Sequence, residues 1–151
     1  MSTIIACIDS TNASENALRY ATYMVKRNNL KLQILAIIEG SHRNLLFASE
    51  AISNQKRNQI QKHLKKLVDN ICIPNGIEPS ISVREGDIVA EITKEIKAVG
   101  NCKMIVFGKS QNFQSDNTVL PKIVGKIGDK INASVMIIPQ NISEDFWNIF
   151  S

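Results

Sequence analysis

Two places in this chain bring together residue types able to hold a ligand. Asp9 and Ser10 close the apolar run at residues 4–8, and Gly108, Lys109 and Ser110 close a second apolar run at 103–107. A strand ending in glycine, followed by a polar loop and a helix, is where an open α/β sheet offers backbone N–H groups to an anion. Lys109 and Ser110 could add a charge and a hydroxyl for phosphate there. Two further strand ends carry Glu39-Gly40 and Gly86-Asp87, with Asp87 placed to cap the helix that follows. No known catalytic constellation emerges from these ends. A phosphoacceptor pocket needs an acidic cluster, and Asp9 stands alone. The P-loop spacing and the Gly-x-Gly-x-x-Gly of dinucleotide folds are both missing. His42 and His63 lie apart without metal-ligand spacing and read as surface residues, which argues against zinc or histidine-based catalysis.

The elements that must position these residues follow from periodicity. Residues 4–8 form an apolar run of strand length, closed by the turn and capping cluster Asp9-Ser10-Thr11-Asn12. Asn12 and Glu15 have the spacing of a capping box, and Ala17, Leu18, Ala21, Met24 and Val25 then recur at helical spacing up to Asn28-Asn29. A second strand runs to Ile38. Residues 42–53 carry a mixed pattern that fits a loop or an early helix. Ile60, Leu64, Leu67, Val68 and Ile71 mark one face of a long helix ended by Pro74-Asn75-Gly76, its lysines and arginine forming a solvated face. A third strand around 81–84 leads through Gly86-Asp87 into a helix carrying Ile88, Val89, Ile92, Ile96 and Val99, which Gly100 ends. The strand at 103–107, a helix with Leu120, Ile123, Val124, Ile127 and Ile131, and a last strand at 135–138 complete the series. Strands that are apolar throughout and alternate with helices predict an α/β fold with an open, doubly wound parallel sheet and helices on both faces.

Composition bounds the function. The 151 residues, 44% apolar, suit one domain with its own core. The opening Met1-Ser2-Thr3 leads straight into a strand without a signal-like region, and no run is long enough to cross a bilayer, so a cytoplasmic protein without membrane contact is expected. Cys7, Cys72 and Cys102 stand singly and read as reduced thiols. The 18 basic and 14 acidic residues give a net charge of +4. That charge is spread without an arginine-rich or aromatic-interleaved block, which argues against nucleic acid as a partner.

In order along the chain, Ile8-Asp9, the helix around Glu15 to Ala21, Arg84-Glu85-Gly86-Asp87, Ile105-Val106-Phe107-Gly108 and Val135-Met136-Ile137-Ile138-Pro139 resemble the motifs of the universal stress protein family over nearly the whole chain. The resemblance implies a five-stranded sheet of order 3-2-1-4-5. Nucleotide-binding members of that family carry Gly, two residues, Gly, nine residues, Gly, then Ser or Thr, in a loop around the ribose and phosphates of ATP. Counted from Gly108, the later positions fall here on Gln111, Pro121 and Lys122. Gln111 puts a side chain where backbone would approach a phosphate, and Pro121 has no N–H to give. The run Gly108-Lys109-Ser110-Gln111-Asn112-Phe113 is similar instead to the universal stress protein A branch, regarded as not binding ATP.

The resemblance thus implies a non-enzymatic stress-response module without a cofactor, acting through protein partners that the sequence does not name. The alternative is an ATP- or AMP-binding regulator that keeps adenine recognition at Asp9 and the Ile38 region and holds phosphates weakly through Gly108, Lys109 and Ser110. On the other reading Asp9 is a turn residue and Gly108 a tight strand exit. The last strand is apolar and an edge in the implied order, and family members commonly dimerise through it, so a homodimer with Val135, Met136, Ile137 and Ile138 in its interface is expected. The domain is expected to occupy residues 1–141. Residues 142–151 form a tail rich in aromatic residues, expected to pack back on its own domain or on the dimer partner.

Overall fold

The computed structural model describes residues 1–9, 11–39, 46–109, 125 and 132–150. The first apolar run forms β1 (Thr3–Cys7), the central strand, and the long helices at 12–28, 46–67 and 88–99 each cross over from one strand to the next. In order follow α1 (Asn12–Asn28), β2 (Lys31–Glu39), α2 (Leu46–Leu67), β3 (Ser80–Gly86), α3 (Ile88–Val99), β4 (Cys102–Lys109) and β5 (Ser134–Pro139). All strand pairings are parallel, and the sheet order is β3-β2-β1-β4-β5. This is the order that the family resemblance implies. The helix predicted around residues 120–131 lies outside the described residues, Gly125 excepted.

Successive strand residues face opposite sides of the sheet, so each strand feeds two cores. Ile4, Ala6, Ile34, Ala36 and Val106 pack beneath α1 (Ala17, Leu18, Ala21, Val25) and α2 (Leu64, Leu67). On the other face Ile5, Leu35, Ile105 and Phe107 meet Ile92 and Ile96 of α3. Burial of each of these branched side chains contributes roughly 1.5–3 kcal/mol, which makes the two-sided sheet the main source of stability.

Helix ends follow local chemistry, with one departure from expectation. The cap of α1 is Thr11, not Asn12: its hydroxyl accepts from Ser14 N–H at 3.4 Å, and Asn12 is the first helical residue. Asp9 explains the shift, because its carboxylate binds Thr11 from behind and holds it extended. Asp87 caps α3 as expected, accepting from Ala90 N–H at 3.0 Å. The segment with mixed pattern is helical from Leu46 onward. At its far end α2 widens into a π turn (Val68–Cys72) and tightens into a 3-10 turn (Ile73–Asn75), since Pro74 cannot donate the next helical bond.

Beyond β5 the chain folds back along α1. Glu144–Trp147 forms one helical turn and Asn148–Phe150 a 3-10 turn. Trp147 is 6% exposed. Its ring lies edge-on to Tyr23 at 5.8 Å and to Phe146 at 5.0 Å, while Phe150 meets Tyr20 edge-on at 5.6 Å. The Arg19 guanidinium stacks 4.3 Å above the Trp147 ring. The tail is thus joined to the same core as α1 and α2.

Candidate functional site

The carboxyl ends of β1 and β4 meet at the first turn of α1. Asp9 Oδ1 accepts from the Thr11 N–H at 2.8 Å and from its hydroxyl at 2.6 Å. The Asp9 N–H donates in turn to Ser14 Oγ at 2.7 Å. Ser14 is buried although it is polar, because that bond and the cap satisfy it. Asp9 itself stays exposed at the rim, a turn residue whose carboxylate is already engaged.

Gly108 is not a strand exit. β4 continues through it to Lys109, still paired with β5 at Ile138 and Pro139. A Cβ at position 108 would run into the Ala13 backbone and lie 2.6 Å from the Ser14 nitrogen. The glycine is needed because α1 presses its first turn onto β4, a close approach rather than a special backbone angle. Lys109 is exposed, and its carbonyl accepts from Gln140 N–H at 3.1 Å. Asn16 completes the joint: its amide donates to the carbonyls of Gln140 at 2.8 Å and Pro139 at 3.3 Å. Four elements are therefore stapled at one point.

The other sequence-derived site residues fall as follows. Ile38 is buried in the core beneath α1, so only its backbone faces the strand end. Ser110, Gly40, Gln111, Pro121 and Lys122 lie outside the described residues, as does His42. His63 is not the surface residue expected: its Nε2 is buried without a hydrogen-bond partner. On β5, Met136 packs toward α1 and Val135 toward α3, Ile137 is 37% exposed, and Ile138 is 3% exposed within its own core. Ile138 therefore has only backbone to offer a partner. Among the described residues no group of His, Cys, Asp or Glu could hold a metal ion.

One charged cluster escaped the sequence reading. Glu91 and Glu95 of α3 are buried, and Arg84 on β3 reaches both, with Nε 2.7 Å from Glu95 Oε2 and Nη1 3.9 Å from Glu91 Oε2. Gln33 donates to Glu95 Oε1 at 3.3 Å, and Lys94 lies 3.4 Å from Glu91 Oε1. Gly86 leaves room for the Glu91 carboxylate, which a Cβ there would meet at 3.1 Å. The signal was present in the sequence: two acids four residues apart flank Ile92 and Ile96 on the helix face that packs inward.

The thiols are unsuited to nucleophilic work. Burial pushes Cys7 far up, and the nearby Cys102, Glu95 and Asp9 push the same way. Burial also raises Cys72, partly offset by the Thr22 hydroxyl, and Cys102, partly offset by backbone hydrogen bonds at Met104 and Ile5. A protonated thiol is a poor nucleophile and metal ligand.

Comparison with solved structures shows the same architecture. Universal stress protein UspA from Lactobacillus plantarum superposes with a TM-score of 0.73 at 13% identity, covering 91% of this chain and 97% of that one. A universal stress protein from Archaeoglobus fulgidus in complex with dAMP gives 0.59 at 16%, covering 91% and 95%. A universal stress protein family protein from Arabidopsis thaliana with AMP bound gives 0.59 at 16%, covering 93% of each. The sequence matches no curated protein. The family model for the universal stress protein family matches residues 1–139, which take in every described strand and the α1 joint up to Pro139, and the chain belongs to that family.

Proposed function

We propose that this chain is a non-enzymatic universal stress protein of the A-like branch, a cytoplasmic homodimer that acts in stress resistance through its surfaces and not through a bound nucleotide. The observation that carries this reading is the state of Asp9. Its carboxylate is engaged by Thr11 and its N–H by Ser14, so the residue best placed to meet a base serves the turn that starts α1. Gln111 and Pro121, in place of two loop glycines, act in the same direction.

A second reading keeps an adenine nucleotide at the ends of β1 and β4. It is favoured by the relatives solved with dAMP and AMP, and by the exposure of Asp9 and Lys109 at the rim. Calorimetric titration with ATP, Mg-ATP and AMP separates the two. The first reading expects no heat at millimolar nucleotide. Micromolar binding that Asp9→Ala abolishes would replace it with a nucleotide-dependent regulator.

A further inference from the structure

The charge of this protein is concentrated on α2. Residues 51–68 hold five of the 18 basic residues and none of the 14 acidic ones, so this stretch alone exceeds the net charge of +4. The inward face of the helix is taken up by the core that it shares with α1, through Ile60, Leu64 and Leu67. On the other side Gln55, Gln59, Lys62 and Lys66 recur every three or four residues, flanked by Asn58 and Lys65, and all six are exposed. The stripe from Gln55 to Lys66 is about 16 Å long.

A solvated helix face commonly alternates its charges and pairs them along the helix. This one does not. Among the described residues no ion pair or hydrogen bond engages the side chains of Lys56, Lys62, Lys65 or Lys66, and even Asp69, one turn further on, pairs with none of them. Lys62 lies three residues from Lys65 and four from Lys66, the spacings at which like charges on a helix repel. Arg57 alone is turned inward, donating to the Val83 carbonyl at 3.2 Å. The helix dipole favours Lys65 and Lys66 in the last turn but gives no reason for Lys62 or Lys56.

We propose that the outward face of α2 is a docking surface for duplex DNA, held through its phosphates. Three properties of the face select this partner. Lysines without counter-charge, with amides between them, offer donors and no repelling carboxylate to a run of phosphates. No aromatic residue lies on the stripe to stack an unpaired base, which favours a duplex over a single strand. The described part of α2 exposes one large apolar side chain, Ile52, too little for insertion into a membrane or for the apolar centre of a protein interface. A helix about 10–12 Å across fits the major groove, about 12 Å wide, with lysines on both flanks of the stripe toward the phosphates. Along the sequence these lysines alternate with Gln, Asn and Leu and read as a solvated face; on the helix they fall on one side as a continuous cationic track. The surface does not involve the ends of β1 and β4 and does not depend on whether a nucleotide binds there.

The test uses the full chain and a fluorescein-labelled DNA duplex of about 20 base pairs, read by polarisation across a salt titration. Wild type is expected to bind with a Kd of about 1–100 μM at low salt, and log K should fall against log salt with a slope of about −3, as three engaged lysines require. Lys62→Gln, Lys65→Gln and Lys66→Gln combined should weaken binding at least about tenfold and flatten the slope. Lys31→Gln, Lys97→Gln and Lys103→Gln combined removes the same charge from exposed positions elsewhere and should change the Kd by less than about threefold. Absence of binding at low salt overturns the proposal, as does an equal loss in the two triple variants, which would make the attraction one of net charge. Binding of wild type to vesicles of phosphatidylglycerol and phosphatidylcholine, or to polyglutamate, as tightly as to the duplex overturns DNA as the partner and assigns the face to an anionic membrane or an acidic protein.

Discussion

Single residues at the α1 joint answer to packing before ligand chemistry. Gly108→Ala forces α1 away from β4, and we expect it to lower the unfolding free energy by about 2–3 kcal/mol in a urea titration, with the slope unchanged. A variant as stable as wild type would show that α1 tolerates a shift there. Gly108 was visible in the sequence as a glycine ending an apolar run, and the reason for it was not, since its neighbour Ala13 lies far away in the chain. The dense cluster Asp9-Ser10-Thr11-Asn12 marked the helix start correctly. Which residue capped it depended on the Asp9 bonds to Thr11, which no spacing rule contains.

Elements are held to one another by contacts of differing legibility. The apolar periodicities of α1, α2 and α3 appear in the structure as the two cores, because a buried face has to repeat with the element that carries it. The attachment of α3 to β3 adds ions to that face. Glu95→Ala removes the closest partner of Arg84 and is expected to cost about 2–3 kcal/mol, while Arg84→Ala and Glu95→Ala together should cost less than the sum of the two. Additive losses in a double-mutant cycle would mean that the ion pair contributes nothing of its own. β5 carries the dimer reading: it pairs with β4 on one side, and Ile137 is its exposed large apolar residue. Ile137→Lys should halve the mass of the assembly in sedimentation without unfolding the protomer, and an unchanged mass would place any interface elsewhere.

At the scale of the whole molecule, the sheet order was readable because alternating strands and helices leave few parallel arrangements, and the resemblance chose among them. The tail was not readable to the same degree: its aromatic residues announced burial, but their partners Tyr20 and Tyr23 lie on a helix laid down more than a hundred residues earlier. The three thiols, Cys72 buried and Cys7 and Cys102 half-buried, set a limit on alkaline stability. A thiol whose folded pKa is raised keeps its proton after the unfolded chain has lost it, so its contribution is intact below the ordinary thiol pKa and is lost as pH climbs from there toward the raised folded value. Thermal melts should therefore show a flat midpoint at neutral pH and a fall beginning near pH 8–9. Replacement of Cys7 by Ala should flatten that fall, and an unaltered alkaline profile would assign it to other groups. The chain's single tryptophan is also the anchor of its tail, set against Tyr23 and beneath the Arg19 guanidinium. Light absorbed by the tyrosines of α1 should therefore reach Trp147 by energy transfer while the tail is seated, and release of the tail should dim that transfer and shift the emission to the red, an optical signal that the protein carries without any label.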